Sequence, residues 1–443
     1  MKKFYIPAIL IFLLASCNNL DDAKLADRSS FMHFYEGAYS MTAAAAEITS
    51  DGYVIAGTVN VTGSKKTSRI IVIKTDKLGQ RIGDEAIIEA ATASSIKVLN
   101  DGFLVIGNSV EYNPATSEIS ELENYKSRLI FLDNNLNVVR DITSLPRETS
   151  DGRHVDFYGD AITINNEGAS DPTKDYIITL GTYQEPGKSE FSYVSSMNKD
   201  LDTLWTRDYN YIVRDYMNAK SIYYNAGKVL WGTSVTETVN TFNYSYLAVP
   251  VVLSNSTFIN SNYFGQNDNQ QALKILDLCE SPLGYAAVGT YSKPDGANSD
   301  IFFIRVDKNG NFDQSSVRYF DGLNSASESV LTAPSLSDVA ESGESLTTTQ
   351  DGGYAIAGTL VTDEGKGIGN GGQDLWLIKV DGFGITQWSR LIGGPTNESV
   401  ASIRETADGG LLICGTIQDG SVESGGLSSI FLIKTDAKGE LKK

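Results

Sequence analysis

Residues 349–358 read Thr-Gln-Asp-Gly-Gly-Tyr-Ala-Ile-Ala-Gly, and residues 374–381 follow with Asp-Leu-Trp-Leu-Ile-Lys-Val-Asp. The same pair of phrases occurs at residues 50–57 and 70–76, and again at 407–415 and 430–436, with four weaker copies between them. A repeat of this kind, built from strand-like runs, is typical of a β-propeller with blades of roughly 40–50 residues. The glycine that closes each first phrase marks the copy: Gly57, Gly107, Gly181, Gly232, Gly289, Gly358 and Gly415.

Each copy holds four strand-like runs. In the sixth copy they are Ser345–Gln350, Tyr354–Gly358, Asp374–Val380 and Gln387–Leu391, with β-branched and aromatic residues at alternating positions. Asp-Gly separates the first run from the second, and Asp-x-x-Gly separates the third from the fourth. Both phrases predict tight hairpins, because glycine accepts positive φ and aspartate can accept a hydrogen bond from its own backbone. The sequence therefore predicts an all-β fold of four-stranded antiparallel blades.

The two ends of the chain are expected to share one blade. The seventh copy reaches residues 434–443 without a fourth run, whereas Phe31–Gly37 matches the fourth-run pattern of Trp388–Gly394. An N-terminal strand that completes the last blade would cover an otherwise open sheet edge. We therefore expect residues 31–443 to form a single seven-bladed β-propeller, closed by an N-terminal strand completing the last blade.

Residues 1–17 have the features of a secretory signal. Two lysines at residues 2–3 precede an apolar segment that is too short to span a bilayer, and residues 14–17 read Leu-Ala-Ser-Cys. These four residues resemble the lipobox of bacterial lipoproteins, which implies that Cys17 is acylated and anchors the chain in a membrane. Residues 18–30 are expected to be a flexible tether, and the aspartates at 21–22 resemble an export tag for the outer face of the outer membrane. An ordinary secretory signal is the alternative.

The net charge argues against some classes of partner, and the cysteines indicate neither a disulfide nor a zinc site. A formal net charge of −19 would repel nucleic acid and anionic lipid headgroups, so neither is expected as a partner. Cys279 and Cys414 fall in strand-like runs of different blades, so buried free thiols are expected rather than a disulfide. No spacing of cysteine or histidine indicates zinc, and no cofactor is expected.

The loops between the second and third runs are predicted to carry the binding residues. They vary most in length and share one face of the disk with the blade-to-blade crossings, and long loops on a rigid scaffold are where function usually lies. Aromatic residues at these loops are confined to the second to fifth copies. They would stack on a sugar or anchor an interface, or, alternatively, cap the blade ends. The candidate binding face consists of Tyr112, Tyr125, Tyr183, Phe242, Tyr244 and Tyr291.

Catalytic motifs are scarce in the sequence. The chain has two histidines and no Gly-x-Ser-x-Gly elbow, which argues against a Ser-His-Asp triad. Paired carboxylates stay open as a catalytic device, but 55 acidic residues give no way to choose between pairs. The innermost runs at residues 43–46 and 399–402 contain alanine, serine and valine, and they favour a small channel without chemistry. The sequence therefore predicts that the chain is not an enzyme.

The Asp-Gly-Gly-Tyr-x-Ile-x-Gly-Thr and Asp-x-Trp-Leu-Ile-Lys-x-Asp phrases resemble repeats of secreted and surface β-propellers of bacteria. With the lipobox, the chain resembles an accessory surface lipoprotein of the outer membrane. That resemblance implies a non-catalytic interaction module, anchored by its lipid and facing the cell exterior, in an outer-membrane protein complex. A TonB-dependent transporter is one candidate partner.

Two further hypotheses stay open beside the interaction module. The first is a glycan- or peptide-binding protein for nutrient capture, which would use the aromatic loop face. The second is a carboxylate-based hydrolase or lyase, which needs two acids that converge in a polar pocket at the channel.

Overall fold

A computed structural model of the chain describes residues 30–441, except for 62–66, 112–123, 145–146, 149, 151–153, 167–173, 186–189, 210–215, 240–241, 254–257, 266–271, 293–298, 322–339, 364–367 and 419–425. The described residues contain strands, turns and bends but no α-helix. Among them, no helix is long and apolar enough to cross a membrane. The predictions for Cys17, for the tether except Ser30, and for Tyr112 lie outside the described residues and stay predictions.

The described strands are short runs that succeed one another along the whole chain. In chain order they are β1 (Phe31–Tyr35), β2 (Ser40–Ile48), β3 (Gly52–Val61), β4 (Thr67–Asp76), β5 (Ala86–Glu89), β6 (Ala91–Leu99), β7 (Gly102–Glu111), β8 (Asn124–Asp133), β9 (Val138–Thr143), β10 (Arg147–Glu148), β11 (His154–Ile164), β12 (Ile177–Gln184), β13 (Glu190–Met197), β14 (Thr203–Tyr209), β15 (Tyr216–Asn225), β16 (Lys228–Val239), β17 (Phe242–Leu253), β18 (Phe258–Phe264), β19 (Ala272–Ser281), β20 (Gly284–Ser292), β21 (Ser299–Asp307), β22 (Phe312–Phe320), β23 (Glu341–Thr348), β24 (Tyr354–Asp363), β25 (Ile368–Val380), β26 (Thr386–Ile392), β27 (Asn397–Glu405), β28 (Leu411–Gln418) and β29 (Ser428–Lys434).

Hairpins join these strands into antiparallel sheets. Strands β2–β5 form one four-stranded sheet and β6–β9 another, while β11–β14 form a third with the short β10 at its edge. Strands β15–β18 and β19–β22 are antiparallel groups of four that meet at one parallel bridge, Ser245 to Ala272. Strands β23–β26 meet β27–β29 in the same way, at Gln373 and Asn397. The prediction of an all-β fold with four-stranded antiparallel sheets is confirmed.

The first strand of the chain pairs with the last. Strand β1 runs antiparallel to β29, with Phe31 opposite Lys434 and Tyr35 opposite Ile430. The resulting order is β1-β29-β28-β27, so the N-terminal segment lies at the edge of that sheet, next to the last strand. The Tyr35 hydroxyl donates a hydrogen bond of 2.8 Å to the carbonyl of Gly79, which links this sheet to the turn after β4.

The Asp-Gly phrases form the hairpins that the sequence predicts. Between β23 and β24, Gly352 has a φ of +82° and its N–H donates to the Thr349 carbonyl at 2.8 Å. Asp351 accepts hydrogen bonds from the Gly353 N–H at 3.0 Å and from the Thr349 hydroxyl at 2.6 Å. The Lys379 ammonium, which is 8% exposed, donates to both oxygens of Asp351, at 3.0 and 2.8 Å. The repeated lysine of the second phrase therefore holds the repeated aspartate of the first.

Apolar side chains pack between neighbouring sheets. One core cluster combines Ile55 and Ile71 of β3 and β4 with Leu412 and Leu432 of β28 and β29. Similar clusters occupy the spaces between the other described sheets, including one that joins β19–β22 to β23–β26. Cys279 and Cys414 lie buried as free thiols, as expected. Burial of these apolar faces stabilises the arrangement of the sheets.

Candidate active site in the central cavity

The first strand of each four-stranded group faces a common cavity. These first strands are β2, β6, β11, β15, β19, β23 and β27; each contacts the next in this order, and β27 contacts β2. The cavity that they line, called here the central cavity, has a volume of about 440 Å³. That volume lies within the ~300–1,000 Å³ range of small-molecule sites.

A β-bulge recurs in all seven first strands of the described chain. The extra residue of each bulge is Ala44, Ser94, Asp160, Lys220, Leu276, Glu344 or Ala401. In six strands the residue before the bulge pairs with the glycine that marks the repeat, and in β15 the residue after the bulge pairs with Gly232. The bulge explains the glycine, because a Cβ at Gly289 would lie 1.7 Å from the Lys274 carbonyl oxygen.

Equivalent positions after the bulge lie at matching heights around the cavity. The Ala46 N–H donates to the Ser402 hydroxyl at 2.9 Å, and the Ile403 N–H donates to the Ser345 hydroxyl at 3.3 Å, the same one-residue offset in both cases. The third residue after the bulge lies nearest to the turn that follows the strand, which is an Asp-Gly turn after β2, β6, β23 and β27. At that position the strands carry Glu47, Lys97, Thr163, Tyr223, Cys279, Thr347 and Arg404.

An ionic cluster forms at this third position. Arg404 donates to both oxygens of Glu47, from Nη2 at 2.8 Å and from Nε at 3.2 Å, and Lys97 Nζ donates to Glu47 Oε1 at 2.6 Å. The Glu47, Arg404 and Lys97 side chains are 15%, 27% and 30% exposed. Burial alone would raise the pKa of Glu47, but the charges and hydrogen bonds of the two cations outweigh it and lower that pKa to about 2. Glu47 is therefore ionised across the physiological range.

A carboxyl that lines the cavity has the opposite shift. Asp277, the first residue after the bulge in β19, accepts hydrogen bonds from the Ser345 hydroxyl at 2.6 Å and the Leu346 N–H at 3.1 Å. Burial raises the pKa of Asp277, and the hydrogen bond from Ser345 and the charge of Arg404 only partly offset this. Burial, together with the charge of Asp277, also raises the pKa of Tyr223 well above its ordinary value. A carboxyl with raised affinity for a proton thus lies in the same cavity as a protonated phenol.

The opposite end of the cavity carries two more acids. Asp160 and Glu344 are themselves bulge residues, three positions before Thr163 and Thr347, and they line the cavity. The Thr182 hydroxyl donates to Asp160 Oδ2 at 2.7 Å. The expectation of a small channel lined by alanine and serine is therefore wrong, because the cavity combines such residues with five charged ones: Lys97, Asp160, Asp277, Glu344 and Arg404.

The cavity can supply acid–base chemistry and anion stabilisation. Pairs of titratable groups whose environments drive their pKa values apart are typical of acid–base sites, and here Glu47 and Asp277 form such a pair. Arg404 and Lys97 offer N–H donors to negative charge. Among the described residues, no group of three or more histidine, cysteine, aspartate or glutamate side chains is placed to hold a metal ion.

Three charged residues of this site share a signal in the sequence. Glu47, Lys97 and Arg404 each stand four residues before the aspartate of an Asp-Gly turn. Aligning the copies on that turn places the charged residues at one equivalent position, and this register makes them neighbours around the cavity. Asp277 has no such signal, because serine or alanine occupies its equivalents in the other six first strands.

The aromatic residues of the predicted loop face lie mostly inside the protein where their side chains are described. Tyr183 is 2% exposed, with its ring centroid 6.0 Å from Phe157, and Tyr291 is 6% exposed and 5.1 Å from Tyr319. Tyr125 is partly exposed and lies 4.9 Å from Tyr158. Phe242 and Tyr244 lie in β17, and their side chains are outside the described part. The buried rings leave no free face for a sugar.

A second cavity lies between β6–β9 and β11–β14. Its volume is about 500 Å³, and its lining combines Phe157 and Tyr193 with hydroxyl groups such as Ser195 and Thr206. The Ser195 and Thr206 hydroxyls lie 2.8 Å apart and bond to each other. Burial raises the pKa of Tyr193, which keeps the phenol protonated. Asp208 is the single carboxyl among the described residues that line this cavity, so they offer no pair of carboxyls for acid–base chemistry.

No protein-family model and no curated protein sequence matches the chain. Among solved structures, it is similar to the β-propeller domain of the Trilobed protease from Pyrococcus furiosus, with 9% identity, a TM-score of 0.48, and 91% of this chain and 97% of that chain covered. It is also similar to the Pyrococcus horikoshii acylaminoacyl peptidase, with 9% identity, a TM-score of 0.46, and 88% and 51% covered. A third is the Trypanosoma rangeli sialidase, with 8% identity, a TM-score of 0.41, and 83% and 59% covered. The chain spans about half the length of the acylaminoacyl peptidase.

These similarities contradict two expectations from the sequence. The chain was expected to be a non-catalytic interaction module and not an enzyme, whereas the similar chains include peptidases and a sialidase. At 8–11% identity the likeness concerns the fold, and the chemistry of this chain has to be derived from its own side chains.

Proposed function

We propose that the chain is a seven-bladed β-propeller closed by its N-terminal strand. The support is the ring of contacts among the seven first strands, in which β27 meets β2, and the pairing of β1 with β29. In this arrangement β27, β28, β29 and β1 are the four strands of the last blade. In a closed ring β1 covers the edge of β29, and the first strands are placed around one axis.

The central cavity is the active site of a carboxylate-based hydrolase or lyase in this proposal. The observation that carries it is the divergence of two carboxyls that both interact with Arg404: the pKa of Asp277, which lines the cavity, is raised, and that of Glu47 is lowered to about 2. Asp277 is the group that gives and takes a proton, because its raised pKa brings it towards the range of useful acid–base catalysts. Glu47 stays ionised and holds Arg404 and Lys97 in place.

The proposed hydrolysis balances with water as the co-substrate. Asp277 gives its proton to the leaving atom as the scissile bond breaks, the water oxygen bonds to the carbon, and a proton of that water returns to Asp277. The N–H groups of Arg404 and Lys97 stabilise negative charge that develops on the substrate. The Tyr223 phenol, whose raised pKa keeps it protonated, donates a hydrogen bond to the substrate. In an elimination, ionised Asp277 would take a proton from the carbon next to the breaking bond and give it to the leaving atom as the double bond forms, so no water would be consumed.

The test is hydrolysis by the purified chain of a panel of chromogenic peptide, ester and glycoside substrates. Asp277→Asn removes the transferable proton but keeps an oxygen that can accept from Ser345, so kcat should fall by about 100-fold or more. The matched control is Asp202→Asn, because that side chain is 64% exposed and lies outside the cavity; it should leave kcat unchanged. No turnover of any substrate by the parent chain, or full activity in Asp277→Asn, would refute the proposal.

A further inference from the structure

The central cavity has opposite charges at its two ends. Lys97 and Arg404 lie at the third position after the bulge, whereas Asp160 and Glu344 are the bulge residues of their strands. Three residues of strand correspond to about 10 Å along the cavity, at ~3.3 Å per residue. Cations therefore line the end near the Asp-Gly turns, and acids line the other end.

The cations at the first end keep donor capacity after pairing with Glu47. A lysine ammonium has three N–H donors, and the described contacts of Lys97 use one of them, for Glu47 Oε1 at 2.6 Å. Arg404 uses Nε and Nη2 for Glu47 and Nη1 for the Ile403 carbonyl at 2.8 Å, which leaves N–H groups on its terminal nitrogens. Because two cations pair with one carboxylate, this cluster carries a net positive charge, although the formal net charge of the chain is −19.

This polarity selects a ligand that is itself charged at both ends. The positive end fits a carboxylate, and the acidic end fits an ammonium group. An extended peptide advances ~3.3–3.6 Å per residue, so about three residues span the ~10 Å between the two levels. Asp277, the first residue after its bulge, lies between the levels where the internal peptide bonds of such a ligand would run.

We propose that the central cavity binds a short peptide of about three residues with both termini free. Its C-terminal carboxylate meets Arg404 and Lys97, and its N-terminal ammonium meets Asp160 and Glu344. This inference rests on the proposed function where it concerns cleavage, because Asp277 would then act on a peptide bond. Binding itself depends only on the charges of the cavity.

The experiment measures binding to the full chain by titration calorimetry with tri-alanine as the probe. The same peptide with an amidated C-terminus, and the same peptide with an acetylated N-terminus, serve as comparison ligands. Loss of one charge-assisted contact weakens binding by about 10-fold to 100-fold, so each blocked peptide should bind correspondingly more weakly than tri-alanine. Equal affinity for the free and blocked peptides, or no binding of tri-alanine, would overturn the proposal.

Two variants assign the ends of the ligand. Lys97→Met keeps the Glu47–Arg404 pair and should reduce the penalty for C-terminal amidation without changing the penalty for N-terminal acetylation. Glu344→Gln should do the reverse. Lys228→Met is the matched control, because that lysine bonds to Asn309 at the surface and not in the cavity; both penalties should be unchanged.

Binding and turnover are separable outcomes of these measurements. Tight binding of tri-alanine without any hydrolysis would refute the proposed hydrolase and support the ligand class. Hydrolysis of a glycoside by an Asp277-dependent reaction, with no affinity for tri-alanine, would support the hydrolase and refute the peptide. Phosphate could also bind as well as tri-alanine while N-terminal acetylation has no effect. This result would show that the cavity recognises only a negative charge, and it would also refute the peptide proposal.

Discussion

Asp-Gly turns follow four of the seven first strands that line the central cavity, and these turns repeat in a different way from the cavity walls. At the turns after β23 and β27, the pairs Asp351–Lys379 and Asp408–Lys434 are the same in kind, at 2.8 and 2.6 Å. At the third position after the bulge, equivalent residues range from Glu47 to Lys97 to Tyr223. Repetition in this chain thus identifies the residues that build the scaffold, and departures from it within the strands identify those that are free to do chemistry.

The β-bulge explains both the repeated scaffold residues and the varying cavity residues. It needs a glycine on the neighbouring strand, so that position repeats, while the extra residue itself lies at the cavity and varies from alanine to leucine to glutamate. We had expected the copies to differ in function mainly at the loops between second and third strands. The structure also places charged differences in the first strands, because a propeller brings one edge strand of every blade to the same axis.

The largest effect in this comparison is expected for a marker glycine. A Cβ at Gly289 would lie 1.7 Å from the Lys274 carbonyl oxygen, which is backbone and cannot rotate away. Gly289→Ala should therefore lower the free energy of unfolding by about 3 kcal/mol. Gly394→Ala is the control, because nothing lies within 4 Å of its Cβ position, and it should change stability by less than about 0.5 kcal/mol. Urea denaturation compares the two; equal midpoints would show that the bulge does not require the glycine.

A smaller effect is expected at the repeated turn. Asp351→Asn leaves the nearly buried Lys379 ammonium without its carboxylate and should lower the free energy of unfolding by about 1–2 kcal/mol at pH 7. Burial alone would raise the pKa of Asp351, but hydrogen bonds from Lys379 and Thr349 lower it from 3.8 to about 2. A carboxyl with a depressed pKa stabilises the fold above its unfolded pKa, and the contribution disappears as the pH falls from about 4 to about 2.

The pH dependence of the stability provides a control for the prediction on Asp351→Asn. The stability difference between the parent chain and Asp351→Asn should be constant above about pH 5 and should shrink as the pH falls towards 2. Asp381→Asn should change the free energy of unfolding by less than about 0.5 kcal/mol at pH 7, since Asp381 accepts from the Phe383 and Ile385 N–H groups and has no ion pair among its described contacts. Thermal melts across this range decide it; a difference that grows in acid would contradict the assigned ion pair.

Much of the fold was predictable because it depends on local chemistry. Asp-Gly turns, alternating strands and the match of Phe31–Gly37 to a fourth strand are all properties of short segments, and the sheets and the β1–β29 pairing agree with them. The site was not predicted, because Asp277 meets Ser345 from a strand 68 residues away and Arg404 meets Glu47 across 357 residues. Tyr183 could not be assigned from local sequence either: its position at a loop suggests exposure, but packing against Phe157 buries its ring.

The smallest effect on stability is expected at a bulge residue. Glu344 lines the cavity at a position where other first strands carry Ala44, Ser94 or Leu276, so the scaffold accepts side chains of very different size and polarity there. Glu344→Gln should therefore change the free energy of unfolding by less than about 0.5 kcal/mol. Ser345→Ala, one residue later, is the comparison: its hydroxyl donates to Asp277 at 2.6 Å and accepts from the Ile403 N–H at 3.3 Å, so its loss should cost about 1–2 kcal/mol. If Glu344→Gln destabilised the chain as much as Ser345→Ala, the bulge residue would belong to the scaffold and not to the variable part of the cavity.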